Sequence, residues 1–206
     1  MPEQLGGGQS PPAAQPRVRI TTTGFNQVSK MSKYRNLKSA WAMSGMVAPL
    51  ADRHFERFAR DAGLGRARLI NCTWLWDPAK ETEHLGMSFG VMIGMWIYNQ
   101  EFFRRTFTLL KQDLKMAQEN DEELDVIVYC KSGRHRSVGF ATFLAYILTC
   151  MGCAHTVTHE CDWYWQFVTC QQRARRRNTQ CATCFGLPLE SKLMLLHAAN
   201  ELWHDL

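Results

Sequence analysis

Apolar positions along this chain follow two rhythms. From Arg17 to Thr23 they alternate, with Val18 and Ile20 separated by polar residues, and β-branched types dominate, so the segment predicts a strand. Leu69 to Trp74 reads as a second strand. It runs into Asp77-Pro78, where the residue before proline is pushed out of helical geometry and a loop begins. Val126 to Tyr129 is a short apolar run that predicts a third, buried strand, and Thr156 to Thr158 a fourth. Between these stretches the spacing changes to three and four residues. It predicts a short helix near Ala40 to Met43 and an amphipathic helix from Pro49 to Ala62, ended by Gly63 and Gly65. Helical spacing returns at Phe89 to Trp96, and again from Gln100 to Asn120 with Phe103, Phe107, Leu110, Leu114 and Ala117 inward. A further helix runs from Ser137 to Cys150, and one more from Leu189 to Trp203. Strands alternating with helices predict an α/β fold: a mainly parallel sheet of about four strands with helices on both faces, plus a Cys-rich helical C-terminal extension. Ligands of such sheets sit beyond the carboxyl ends of the strands. Gly24, Thr73, Asp77 and the segment after Cys130 converge there.

Composition divides the chain. Residues 1–16 are rich in Gly, Pro, Gln and Ala and read as a disordered leader; residues 17–160 form the α/β domain; residues 161–206 are a Cys- and Arg-rich extension ending in a helix. No apolar run approaches the ~20 residues that span a bilayer. No basic segment followed by a hydrophobic one opens the chain, so a cytoplasmic location and no membrane partner are expected. In a reducing compartment the eight cysteines are not a disulfide framework. The net charge of +5 permits phosphorylated ligands or nucleic acid. Arg173, Arg175, Arg176 and Arg177 concentrate that charge, while Glu119 to Asp125 is acidic.

The densest chemistry lies at Cys130-Lys131-Ser132-Gly133-Arg134-His135-Arg136-Ser137. A strand, a tight loop and a helix start make an anion site, because the first helical N–H groups have no intrahelical partner. Gly133 permits a positive φ or a close backbone approach. The Arg136 fork can grip a phosphate with two hydrogen bonds, His135 adds a donor, and Ser137 can cap the helix. Two chemistries fit. In one, Cys130, placed near a helix N-terminus and arginines, is a thiolate nucleophile, Arg136 clamps the phosphate and Asp77 is the general acid. In the other, Cys130 packs as a small hydrophobe and the loop only binds the anion, with Gly24, Lys131, Ser132, Gly133, Arg134, His135, Arg136 and Ser137 around it.

The Cys–Arg spacing resembles that of cysteine-dependent phosphatases. The ending His135-Arg136-Ser137-Val138, preceded by Cys130, Ser132 and Gly133, more closely resembles the C-terminal domain of RapZ, the bacterial RNase adapter family. Phosphatases usually carry a histidine directly before the cysteine, where this chain has Tyr129. Further similarity lies in Arg17 to Asn26 with its Gly24-Phe25 turn, in Arg68 to Pro78, and in His84-Leu85-Gly86. The resemblance implies a module that binds a phosphorylated small molecule, such as a phosphosugar or nucleotide, or RNA. The bacterial family uses the domain to sense an amino-sugar phosphate and to present a small RNA to a nuclease. Gly6-Gly7-Gly8 is not followed by Gly-Lys-Ser/Thr, so the Walker loop of bacterial RapZ is not read here.

The cysteine tail resembles an extension found in eukaryotic proteins with this domain. Cys181 and Cys184 have the spacing of a zinc knuckle, Cys170 supplies a third thiolate, and His159, or else Cys161, the fourth ligand. A structural Zn²⁺ there is expected to pin the arginine-bearing segment to the end of the sheet. Chelation is then expected to loosen the tail and leave the Cys130 loop intact. The arginines beside Trp163, Tyr164 and Trp165 also suit RNA, through phosphate contacts and base stacking.

Overall fold

The computed structural model describes residues 17–24, 60, 67–78 and 83–204. Its strands are β1 (Arg17–Gly24), β2 (Arg68–Asn71), β3 (Glu123–Cys130) and β4 (Ala154–His159). They form one sheet in the order β2-β3-β1-β4, and every neighbouring pair is parallel. The helices are α1 (Phe89–Tyr98), α2 (Gln100–Glu119), α3 (Arg136–Cys150), α4 (Asp162–Trp165), α5 (Thr169–Arg175), α6 (Ala182–Phe185) and α7 (Leu189–His204). The expected helices at residues 40–43 and 49–62 lie outside the described residues, residue 60 apart.

Two strands differ in length from the sequence expectation. β2 ends at Asn71 instead of Trp74. The Cys72 N–H still donates to the Tyr129 carbonyl at 2.8 Å, and the Asn71 side-chain oxygen then accepts the Thr73 N–H at 2.9 Å, a local turn that ends the strand. β3 begins at Glu123, earlier than its apolar run. The charges there are paired: Arg19 on β1 donates to both carboxylate oxygens of Asp125 at 2.7 and 2.9 Å, and its Nε lies 3.0 Å from Glu123.

Helices α1, α2, α3 and α7 share one core with Val18, Ile20, Ile70, Val126 and Val128, the alternate residues that one face of the sheet presents. Phe103 is its centre, ringed by Trp96, Phe107, Phe140 and Phe143 at centroid distances of 4.9 to 5.8 Å. Ile127 and Tyr129, which alternation turns to the opposite face, are also fully buried, so the central strand β3 is covered on both sides. A second, smaller cluster forms beside the sheet's carboxyl end. There Leu85 and Val138 pack with Trp165, Val168, Cys170, Ala174, Cys181 and Cys184. The cysteine-bearing segment is thus built onto the start of α3. Among the described residues no helix is long and apolar enough to cross a membrane.

Candidate functional site

The carboxyl ends of β1 and β3 lie side by side, with Gly24 in register with Cys130. The loop of residues 131–135 leaves β3 and folds over the end of β1. The approach is so close that a Cβ on Gly24 would stand 2.2 Å from both the Gly133 nitrogen and the Ser132 carbonyl carbon. Gly133 has φ +66°, and a Cβ there would meet the Gly24 nitrogen at 2.6 Å. No other residue fits either place without moving backbone.

Three groups hold the loop from outside. The Trp165 indole Nε1 donates to the Gly133 carbonyl at 3.2 Å. The Gly86 N–H donates to the Arg134 carbonyl at 2.9 Å. Cys161 Sγ accepts the Gly24 N–H at 3.2 Å, and burial pushes that thiol up to about 11, so it stays protonated. From inside, Cys130 Sγ accepts the Gly133 N–H at 3.3 Å and lies 3.2 Å from Ser137 Oγ. Both Cys130 and Ser137 are fully buried. Nearby Cys72 is raised well above its ordinary value, first by burial.

The N–H groups of Ser132, Arg134, His135, Arg136, Ser137 and Val138 have no hydrogen-bond acceptor among the described residues; Gly139 is the first to donate back, to the His135 carbonyl at 2.7 Å. Asp77 Oδ2 lies 3.3 Å from His135 Nδ1 and 3.7 Å from Arg136 Nε. Arg136 Nη1 donates to the carbonyls of Thr73 and Leu75. The fork therefore ties the β2–α1 connection to α3 instead of reaching freely outward. Its Nε, and that of Arg134, are buried and have no hydrogen-bond partner among the described residues. Gly24, Asp77, Cys130 and every residue from Ser132 to Ser137 thus meet at one end of the sheet, with Lys131 exposed at its edge.

A second constellation lies directly behind. One ligand atom each from His84, Cys170, Cys181 and Cys184 all fall within 4.8 Å of one another, and the set could hold a metal ion. Cys170 and Cys184 sulfurs are 3.8 Å apart, and His84 Nδ1 is 3.5 Å from Cys181 Sγ and 3.6 Å from Cys184 Sγ. All three thiols are free of disulfide bonds. Burial raises Cys170 and, more strongly, Cys184. At Cys181 burial acts the same way but is outweighed by hydrogen bonds, first from the Cys184 N–H, then from the Cys184 and Cys170 thiols and the Thr183 N–H, so its value falls below the ordinary one. The Leu85 N–H donates to Cys184 Sγ at 3.4 Å, and Gln171 Nε2 to Cys170 Sγ at 3.4 Å. Such donors orient and stabilise thiolate ligands.

The expected fourth ligand is corrected here: His84 joins the three cysteines, and His159 does not. The alternation of β4 turns His159 toward Thr22, its register partner on β1, and its Nδ1 lies 2.7 Å from Thr22 Oγ1. Its ring packs on Trp165 at 4.8 Å, and burial lowers its pKa, which favours the neutral imidazole. Cys161, the other candidate, lies under the loop. His84 was visible in the sequence only as the residue before Leu85-Gly86, far from the cysteines along the chain.

Among known families, residues 91–161 match the model described as the RapZ C-terminal domain. The match takes in β3, the Cys130–Ser137 loop, α3 and β4, about a third of the chain, and this segment is similar to that domain. The four clustered metal-ligand residues lie outside the matched segment. No curated protein matches the chain.

Proposed function

We propose that this RapZ C-terminal-like chain is a phosphate-anion-binding module whose ligand rests on the Cys130–Ser137 loop. The observation that carries the reading is the set of N–H groups without acceptors among the described residues, those of Ser132 and of Arg134 to Val138, wrapped at a helix start at the carboxyl end of a parallel sheet. Backbone donors in this arrangement, backed by the helix dipole, complement a phosphate. The buried Nε atoms of Arg134 and Arg136, which have no hydrogen-bond partner among the described residues, add positive charge, that of Arg136 shared with Asp77 at 3.7 Å.

Phosphosugars, nucleotides and RNA all present the required anion. Exposed rings favour the last two. Trp74 is 66 % and Tyr98 65 % exposed, and Trp76 packs against Tyr98 at 4.2 Å with the rings tilted by 43°. Trp74 lies between Thr73 and Leu75, the residues whose carbonyls Arg136 holds. A ring so placed can stack on a base while the loop takes its phosphate. Cys130, with 1 % exposure, an N–H donor and a hydroxyl already on its sulfur, fits a packing role better than that of a nucleophile.

Zinc is the metal the second constellation suits. Four ligands at tetrahedral angles, with Zn–S of ~2.3 Å and Zn–N of ~2.0–2.1 Å, put sulfurs ~3.8 Å apart and sulfur ~3.6 Å from nitrogen. The observed 3.8, 3.5 and 3.6 Å are those edges. Three thiolates and one imidazole close the coordination shell, which suits a structural ion.

The test is thermal stabilisation by inorganic phosphate, a hexose phosphate, a nucleoside monophosphate and a short single-stranded RNA, each beside its unphosphorylated counterpart. A ligand at ~100 times its dissociation constant stabilises by about 2.7 kcal/mol. Equal responses to phosphorylated and unphosphorylated partners would end the anion reading. Hydrolysis of an aryl phosphate, lost in Cys130→Ser, would instead establish the phosphatase chemistry.

A further inference from the structure

The metal-ligand cluster and the anion loop are joined by two consecutive residues. His84 supplies a ligand atom to the cluster. The next residue, Leu85, is fully buried and donates its N–H to Cys184 Sγ at 3.4 Å. Gly86 donates its N–H to the Arg134 carbonyl at 2.9 Å. It also presses against α3: a Cβ at Gly86 would stand 2.1 Å from the His135 oxygen and 2.4 Å from the Gly139 nitrogen. A second tie runs through the shared cluster of buried side chains. Val138, on the first turn of α3, packs in the same cluster as Leu85, Cys170, Cys181 and Cys184. Trp165 belongs to that cluster too, and its indole holds the Gly133 carbonyl.

We infer that His84-Leu85-Gly86 is a positioning strap, through which a metal ion at His84, Cys170, Cys181 and Cys184 fixes the Cys130–Ser137 loop, so that metal and phosphate anion bind with positive coupling. This rests on the anion-binding reading of the loop. The physical argument is short. Without an ion, the three sulfurs and the imidazole have no common partner. The cluster is then free to open, and its opening releases Leu85 from Cys184. Gly86 moves with Leu85, and with it the only N–H that holds the Arg134 carbonyl among the described residues. The loop amides then lose the arrangement that a phosphate needs. On this connection chelation is expected to disturb the loop as well as the tail. Coupling between two sites is reciprocal, so phosphate must raise metal affinity by the same factor.

Two measurements on the full chain under reducing conditions test this. The first is amide hydrogen exchange of the metal-free protein with and without one equivalent of zinc. Zinc is expected to protect the hydrogen-bonded amides of Gly86, Gly133 and Gly139 as well as residues 161–186. Protection confined to residues 161–186 would overturn the strap. The second is titration with inorganic phosphate of metal-free and zinc-loaded protein. An affinity gain on the order of 5- to 150-fold on loading is the usual range for such coupling. Equal, measurable phosphate affinities in the two states would overturn it as well. Loop protection by zinc, with phosphate binding to neither state, would uphold the strap and refute the anion reading instead, so the two failures are distinguishable.

If removing the metal unfolds the chain altogether, Gly86→Ala in the loaded protein replaces the comparison. The new methyl group must displace the strap from His135. Cobalt(II) should still give one-to-one binding and the thiolate charge-transfer spectrum of the parent, while phosphate affinity and loop protection fall. A variant with both the parent cobalt spectrum and the parent phosphate affinity would refute the strap.

Discussion

Replacing His84 by alanine removes one of the four clustered ligand residues and leaves the three sulfurs in place. Closed structural zinc sites of this type bind with about 10–16 kcal/mol near neutral pH. A quarter of that is about 2.5–4 kcal/mol, and at 1.4 kcal/mol per tenfold the variant should bind zinc on the order of 10²–10³ times more weakly. Water taking the open position makes the lower end the better expectation. His159→Ala is the matched control, since the sequence favours that residue as the fourth ligand. It deletes a 2.7 Å hydrogen bond to Thr22 and a ring contact with Trp165. That should cost about 1 kcal/mol of stability with metal affinity unchanged. Competition against a chromophoric chelator in reducing buffer reads both variants directly. Cobalt(II) adds a check on geometry, because losing a ligand changes the tetrahedral spectrum. If His159→Ala weakens binding as much as His84→Ala, or if His84→Ala has no effect, the ligand assignment is wrong.

Two further outcomes follow from the site. Arg136→Lys keeps the charge but loses the planar fork that bridges Thr73 and Leu75, and one lost charge-assisted bond is worth about 1.5–3 kcal/mol; denaturant melts and phosphate titration should both show the loss, while Cys130→Ser binds phosphate like the parent. Burial holds the folded-state pKa of His159 below 6.5, so the unfolded chain takes up its proton first. Its contribution to stability is therefore complete above that unfolded value and is lost as pH falls through it. The parent should lose more stability than His159→Gln between pH 7.5 and pH 5.5, and equal losses in the two proteins would contradict the assignment.

The elements that carry local periodicity were legible in the sequence. The α2 stripe of Phe103, Phe107, Leu110, Leu114 and Ala117 is the buried face, and the strand–loop–helix around Gly133 has the expected form. What the sequence hid was set by partners distant along the chain. Glu123 and Asp125 read only as part of an acidic run ahead of the strand, because Arg19, which pairs with them, lies more than a hundred residues away. The Arg136 fork looked free, because the carbonyls that hold it belong to the β2–α1 connection. His84 had no local signature at all. A metal site is assembled by tertiary proximity, and sequence spacing reveals only the ligands that share a turn, as Cys181 and Cys184 do.

The strand order has a consequence for how the chain is made. β1 is synthesised first, yet both of its sheet partners, β3 and β4, come late: Arg17 pairs with Glu123 and with Ala154. Arg19 and Asp125 are separated by 106 positions. At ribosomal rates of roughly 5–20 residues per second, β1 emerges about 5–20 s before the strand that pairs with it. During that interval both of its edges are open, and Val18 and Ile20 have no sheet to join. Gly24, which lies against the Cys130–Ser137 loop, is therefore placed only after the whole central strand has docked. The site is one of the last parts of the nascent chain to take shape, and β1 is the segment that a nascent-chain chaperone would have most reason to shield.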